Sequence, residues 1–121
     1  TGVVDRCERT GGDFFTSVPS GADLYMMRHI IHDWNDDHSI MILHNCAQAM
    51  APSGRVLVIE SVIQPGNEPS PAKFLDVTMM VMNGGRERTE DEFRRLFAAA
   101  GLAVTRILAA GAESIIEGTH A

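Results

Sequence analysis

Four consecutive apolar residues, Val56 to Ile59, constrain the fold of this chain more than any other feature of its sequence. The turn-forming residue Gly54 precedes the run and Glu60 follows it, so we predict a strand over residues 55–62. A continuous apolar run of this length indicates a strand that is buried on both faces, which is typical of parallel sheets. Helices must then cover the sheet, and the sequence predicts an α/β fold.

The rest of the chain alternates strand and helix patterns. Strands are predicted over residues 7–10, 22–28, 102–108 and 114–117, and helices over 35–50, 73–82 and 89–100. Thr89, with Glu92 three residues later, forms a capping-box pattern at the start of the last helix. We predict a mostly parallel sheet that is closed by an antiparallel strand after Gly111, with helices on both faces. The glycine-rich turn that opens doubly wound sheets does not occur in the sequence.

Composition argues against several classes of function. The formal net charge of −6 and the lack of a basic run argue against nucleic-acid binding. No apolar run approaches the ~20 residues that a membrane span requires, so we expect no membrane contact. Two cysteines without metal-type spacing predict a reducing, cytoplasmic setting. The 121 residues suit one domain, and since the chain begins with Thr1, we interpret it, with the motifs below, as a fragment.

Three potential acid–base groups follow the ends of predicted elements. His32 lies just beyond the strand over residues 22–28, and Glu60 lies at the end of the apolar strand. Glu87 lies in a turn before a helix. If the two strands are parallel, their carboxyl ends share one edge of the sheet, where open α/β folds keep their sites. Histidine titrates near neutrality and a carboxylate can orient it, so the sequence predicts a general base.

Four sequence blocks occur in order: Gly-Gly-Asp-Phe-Phe at 11–15, Arg-His-Ile-Ile-His-Asp-Trp-Asn-Asp at 28–36, Gly-Arg-Val-Leu-Val-Ile-Glu at 54–60, and Asn-Gly-Gly-Arg-Glu-Arg-Thr-Glu-Asp-Glu-Phe at 83–93. Together they resemble the small-molecule O-methyltransferases of plants and bacteria, which are related to the caffeate, hydroxyindole and polyketide enzymes. The resemblance covers almost all of residues 1–121, but only the carboxyl-terminal half of that family's catalytic domain. It implies a partial Rossmann-like class I methyltransferase fold in which the first strands and the glycine-rich loop are absent.

The resemblance also implies the roles of the site residues. His32 matches the catalytic base that removes the hydroxyl proton of the acceptor, and Glu60 and Glu87 match the acids that flank it. Contacts to the cofactor S-adenosylmethionine fall at Asp13, Phe14, Arg28 and Trp34. The acceptor pocket falls at Met79, Met80, Met82 and Asn83, and no metal is implied. The implied partners are a small aromatic or polyketide molecule with a hydroxyl group and, in the intact protein, a second copy in a homodimer. The isolated chain is expected to be inactive.

Other interpretations compete with this one. Asp13 could simply cap a turn, Trp34 could be a packing anchor, and the methionines could fill a core. A metal-dependent enzyme is an alternative, because four potential ligands are close in the sequence: His29, His32, Asp33 and Asp36. A non-catalytic interaction module is another. The strand over residues 22–28 would then present an apolar edge and an uncovered sheet face, and the chain alone would dimerise or aggregate.

Overall fold

The computed structural model describes residues 2–66, 68–82 and 85–121. Its strands and helices are, in chain order, β1 (Leu24–Arg28), α1 (Asp36–Ala49), β2 (Arg55–Glu60), β3 (Val62–Ile63), α2 (Pro71–Met82), β4 (Arg88–Thr89), α3 (Glu90–Ala99), β5 (Leu102–Ala110) and β6 (Glu113–His120). The strand predicted over residues 7–10 is wrong. This exposed, mostly polar stretch follows a short 3-10 turn and pairs with none of the described strands, so nothing stabilises it as a strand.

Four of the strands form one mixed sheet in the order β1-β2-β6-β5. β1 and β2 are parallel, with Met26 opposite Leu57, whereas β6 is antiparallel to both β2 and β5. The predicted α/β fold and the closing hairpin are therefore confirmed, but the sheet is mixed rather than mostly parallel, because only β1 and β2 pair in parallel within it. The hairpin turns at Gly111, where a φ of +70° favours glycine. The carboxyl ends of β1 and β2 share one edge, which is the condition that the prediction of a site required.

One face of this sheet carries the hydrophobic core. Val56 and Val58 are fully buried and belong to one cluster with buried side chains from α1 and α3. Gly118 of β6 lies opposite Val56, and a Cβ at Gly118 would come within 2.6 Å of the Phe97 ring of α3. On the opposite face Leu57 is half-buried and Met26 is 66% exposed. The prediction that β2 is buried on both faces is therefore wrong for this face, and the apolar run alone does not show the difference because both faces of β2 are apolar.

β2 ends at Glu60, so the strand predicted over residues 55–62 is wrong at its last residues. The strand breaks at Ser61, and β3 then pairs in parallel with β4 in a separate two-stranded sheet. Val62 lies opposite Arg88, so the segments that follow Glu60 and Glu87 run side by side. This change of strand partner carries the two glutamates towards the same place.

Two of the predicted helix starts, those of α1 and α3, are confirmed by their caps, whereas α2 begins at Pro71, two residues before its predicted start. The Asn35 side chain accepts a hydrogen bond from the backbone N–H of His38 at 3.0 Å. Thr89 and Glu92 form the predicted capping box: the Glu92 N–H donates to Thr89 Oγ1 and the Thr89 N–H donates to Glu92 Oε2, at 3.3 and 2.8 Å. Such a cap contributes about 1 kcal/mol. None of the helices in the described ranges is both long enough and apolar enough to cross a membrane.

Candidate active site

The three predicted acid–base residues, His32, Glu60 and Glu87, meet at the carboxyl edge of the sheet, and we call them the base cluster. His32 Nδ1 lies 2.7 Å from Glu87 Oε1 and 3.3 Å from Glu60 Oε2. The backbone N–H of His32 also donates to Glu60 Oε1 at 3.2 Å. All three side chains are buried, and His32, the most exposed of them, is only 6% exposed. The predicted convergence is confirmed, while the catalytic roles stay predictions.

A sharp turn after β1 delivers His32 to this position. The His29 N–H donates to Ile59 O at 3.1 Å, which extends the β1–β2 pairing by one residue. His29 then adopts a φ of +54°, a left-handed conformation that is uncommon outside glycine. A 3-10 turn, Ile31–Asp33, follows at once and carries His32. Backbone strain of this kind persists only where surrounding contacts hold it, and it is concentrated at functional sites.

The glycine-containing block that precedes α3 forms the opposite wall of the base cluster. A Cβ at Gly85 would lie 1.9 Å from the backbone oxygen of His32, so only glycine allows this close approach. The Arg86 N–H donates to the same His32 oxygen at 2.9 Å. Glu87 follows, and its side chain then reaches the imidazole. Three consecutive residues, Gly85, Arg86 and Glu87, therefore each contact or closely approach His32, which explains their order in the block.

The positions of the carboxylates determine which ring nitrogen of His32 is available. Both glutamates lie on the Nδ1 side. With Glu87 ionised, its contact of 2.7 Å requires the proton on Nδ1, and the lone pair is then on Nε2. The nearest carboxylate to Nε2 that the structure records is Asp33 Oδ1, at 3.4 Å. Nε2 is therefore the atom that can accept a proton. An imidazolium formed in this way would be stabilised by Glu87 across Nδ1.

The two glutamates cannot both ionise at low cost. Burial raises the pKa of Glu60 to about 7, and the nearby His32 and its backbone N–H offset only part of this rise. Burial also raises the pKa of Glu87, although His32 opposes that rise with its hydrogen bond. In the described part of the chain, Glu60 Oε2 and Glu87 Oε2 are buried and have no hydrogen-bond partner. Two like charges in such a site favour a state in which one carboxyl keeps its proton.

The positions predicted to bind the cofactor are only partly brought together. Phe14 lies edge-on to Trp34, with ring centroids 6.3 Å apart, and a third ring, Phe15, lies 4.7 Å from Trp34. Asp13 accepts hydrogen bonds from the Phe15 N–H and the Thr16 hydroxyl, at 3.0 and 3.4 Å, as a residue that caps a turn would. The contacts of Asp13 and Trp34 therefore match the alternative roles of turn cap and packing anchor, and their cofactor roles stay predictions.

Arg28 lies at the end of β1 and binds Glu113 in a bidentate ion pair, with N–O distances of 2.7 and 3.0 Å. His29 Nε2 lies 2.9 Å from the same carboxylate. Between β1 and the Phe14 segment there is a cleft of about 440 Å³. Its lining is mostly apolar and includes Phe14, Val18, Tyr25, Met27, Arg28 and Ile30. The cleft is therefore apolar apart from Arg28, whose guanidinium is bound by Glu113.

The positions predicted to line the acceptor pocket lie on or just after α2. Met79 is half-buried, whereas Met80 and Met82 are 61% and 71% exposed. Asn83 lies outside the described residues. α2 runs beside the base cluster, because Asp76 Oδ1 accepts a hydrogen bond from the Glu87 N–H at 2.8 Å. α2 thus contacts the base cluster through Asp76, while Met80 and Met82 are exposed at the surface.

In the structure, the residues that could bind a metal together differ from the four that the sequence suggested. Asp36, one of the four potential ligands, instead pairs with Arg88 at 2.9 Å. Among the described residues, the group that offers ligand atoms within 4.8 Å of one another is the base cluster itself. A cation there would compete with the hydrogen bond between His32 and Glu87.

Three residues that the sequence analysis did not single out contact the site or its supports: Asp76, Arg88 and Glu113. Arg88 follows Glu87 directly in the sequence block at 83–93. A charged residue next to a predicted catalytic acid is a signal by which Arg88 could have been identified. Asp76 and Glu113 carry no such signal, because only the packing of α2 and β6 brings them to the site.

Comparisons with known proteins agree on one family. A family model described as O-methyltransferase domain matches residues 1–103. Phenazine O-methyltransferase of Lysobacter antibioticus is 49% identical over 117 residues, which cover 96% of this chain and 34% of that protein. Mitomycin biosynthesis 6-O-methyltransferase of Streptomyces lavendulae is 45% identical over 111 residues, which cover 92% and 32%. The chain spans about a third of the length of these curated relatives.

Solved structures give the same result. An O-methyltransferase from neocarzinostatin biosynthesis, crystallised with S-adenosylmethionine and 2-hydroxy-5-methyl naphthoic acid, has a TM-score of 0.90 to this chain at 37% identity. The match covers 99% of this chain and 35% of that one.

Proposed function

The chain belongs to the O-methyltransferase domain family, and on that premise we propose that residues 1–121 are the carboxyl-terminal part of a methyltransferase domain. The intact enzyme transfers a methyl group from S-adenosylmethionine to a hydroxyl group on a small aromatic or polyketide molecule. Support comes from the relatives, which are named as a phenazine O-methyltransferase and a 6-O-methyltransferase of mitomycin biosynthesis. The isolated chain is inactive in this proposal.

In the proposed mechanism His32 is the general base. Nε2 takes the proton of the acceptor hydroxyl, and the resulting oxyanion is a far better nucleophile than the neutral hydroxyl. Glu87 hydrogen-bonds to Nδ1 and stabilises the imidazolium. Glu60 accepts a hydrogen bond from the backbone N–H of His32. General-base help is worth about 10²–10⁴ in rate, or roughly 3–5 kcal/mol. The observation that carries the proposal is the hydrogen bond of 2.7 Å between the buried His32 and Glu87.

S-adenosylmethionine would supply an electrophilic methyl group carried on a sulfonium. Four residues would hold it: Asp13, Phe14, Arg28 and Trp34. The apolar cleft beside Phe14 and the guanidinium of Arg28 fit part of such a molecule. Arg28 would have to share its contact with Glu113. The acceptor would lie against Met79, Met80, Met82 and Asn83, beside α2.

The intact protein is further proposed to be a cytoplasmic homodimer that binds neither nucleic acid nor membrane. The chain supports an association through its apolar surface: α2 exposes Phe74, Val77 and Val81, and β1, at the edge of the sheet, exposes Leu24 and Met26. Its free cysteines, Cys7 and Cys46, form no disulfide with one another.

Replacement of the base in the longer protein that carries this chain tests the function. His32→Ala should lower kcat by about 10²–10⁴, with a cofactor Kd that changes by less than about twofold. The assay follows labelled methyl transfer from S-adenosylmethionine to hydroxylated phenazines and naphthoic acids. His44→Ala, an exposed position on α1, is the matched control and should keep the wild-type rate. A His32→Ala variant with a near-normal rate would refute the mechanism.

A metal-dependent enzyme is the second candidate, because the base cluster offers three ligand atoms close together. Calorimetric titration of the chain with Zn²⁺ and with Mg²⁺ separates the two candidates. Stoichiometric binding that disappears in Glu87→Gln would favour the metal enzyme, whereas we expect no specific binding.

A further inference from the structure

Arg88 is fully buried, and its guanidinium hydrogen-bonds to the backbone on both sides of His32. Nη1 donates to Ile31 O at 3.2 Å and Nη2 donates to Trp34 O at 2.9 Å. Nε and Nη2 both bind Asp36 Oδ1, at 3.1 and 2.9 Å. Two weaker contacts complete the set, to Arg86 O and Ser39 Oγ. The Arg88 side chain therefore binds the residue before His32, the second residue after it and the first residue of α1.

The position of Arg88 in the chain gives these contacts a consequence for the base. Arg88, the first residue of β4, follows Glu87 directly, so two consecutive residues contact the imidazole of His32 and the backbone that carries it. We propose that Arg88 is a positioning residue, which fixes the direction of His32 Nε2 towards the acceptor. This inference rests on the proposed function, in which His32 is the base.

The chemistry of arginine explains why this residue type is needed. A guanidinium has five N–H donors in a rigid plane and can bind several carbonyls and a carboxylate at once. Lysine keeps the charge, but its donors cannot span Ile31 O and Trp34 O in the same geometry. A buried ion pair often adds no net stability relative to apolar residues. The contribution of Arg88 is therefore expected in the orientation of His32, beyond any effect on stability.

The test compares two neighbouring aspartates in the first turn of α1. Asp36 binds Arg88, although its side chain is 55% exposed, whereas Asp37 is exposed and is not among the partners of Arg88. Both lie in the first turn of the helix, so Asp36→Ala and Asp37→Ala each remove one carboxylate that interacts favourably with the helix dipole. The readout is the ring ¹⁵N and Nδ1–H spectrum of His32 in the labelled chain, followed over pH. It does not depend on turnover.

We expect Asp36→Ala and Arg88→Lys to weaken or remove the Nδ1–H signal and to change the ring ¹⁵N signals of His32, with Asp37→Ala unchanged. In the longer protein, both variants should lose at least tenfold in kcat while the cofactor KM changes by less than twofold. If both fold and His32 keeps its native signals, the inference is overturned. If Arg88→Lys unfolds, Asp36→Ala alone decides. A wild-type protein without methyl transfer would count against the proposed function, and the spectrum would still test Arg88.

Discussion

In the base cluster, Glu87 is fully buried and reaches an imidazole 55 residues away in the chain, whereas Asp13, predicted to bind the cofactor, is exposed and binds residues two and three positions away. The same contrast holds for α2, where Met80 and Met82 extend to the surface. In the described residues, the base cluster is thus buried and held by contacts that are distant in the sequence, whereas the positions predicted to bind ligands are mostly exposed.

This difference indicates where the site obtains its precision. Four separate segments meet at the base: the turn after β1, the end of β2, the Gly85 segment and β4. Each makes a specific hydrogen bond, so the base geometry is fixed within this part of the fold. The ligand side has loop geometry and exposed apolar residues instead, which suits a surface that other parts of an intact protein complete.

The largest expected effect comes from filling the close approach in the base cluster. Gly85→Ala places a Cβ on the His32 oxygen, so the backbone of one segment must move. We expect the free energy of unfolding to fall by about 3 kcal/mol. The measurement is urea denaturation of the chain.

The matched variant, Gly12→Ala, lies on the ligand side. A Cβ at Gly12 has no described atom within 4 Å, so its change should stay within about 0.5 kcal/mol. Equal effects of the two substitutions would mean that the base cluster is no more tightly built than the ligand side.

The sequence predicts the base cluster well and the details around it poorly. His32 and Glu60 follow parallel strands, and this topology alone brings their ends together. Residue patterns do not predict that β3 leaves β2 to pair with β4, because strand pairing depends on tertiary contacts. The left-handed conformation of His29 is not predicted either, because histidine adopts a positive φ more often than most residues but still too rarely for one histidine to mark such a turn.

A second test sharpens the comparison inside the base cluster. Glu87→Gln can offer an amide N–H to Nδ1 and so select the wrong tautomer of His32. We expect kcat in the longer protein to fall about 100-fold, or roughly 2.7 kcal/mol. Glu60→Gln should cost less than about fivefold, because a neutral Glu60 and a glutamine have the same shape and charge. Equal losses from the two substitutions would contradict this division of roles.

The smallest expected effect is the pH dependence of the free energy of unfolding. It has opposite signs for Glu60 in the base cluster and for Glu113, which binds Arg28. Burial raises the pKa of Glu60 to about 7, above the ordinary value of 4.5. The protonated form of Glu60 therefore contributes stability that is fully present below about pH 4.5 and is lost as the pH rises through about 7. Between pH 5 and 8 the wild-type chain should lose about 2 kcal/mol that Glu60→Gln does not lose.

Glu113 should behave in the reverse way. The hydrogen bonds from Arg28 hold the pKa of Glu113 below its ordinary value. Its contribution to stability is therefore present above about pH 4.5 and is lost as the pH falls through the lowered pKa. Urea denaturation at pH 3.5, 5, 6.5 and 8 tests both expectations. The free energy of unfolding of Glu113→Gln should approach that of the wild type at acid pH, whereas that of Glu60→Gln should rise relative to the wild type at alkaline pH. If both variants diverge from the wild type at the same end of the pH range, Glu60 is ionised, and a buried carboxylate pair rather than a single anion holds the base.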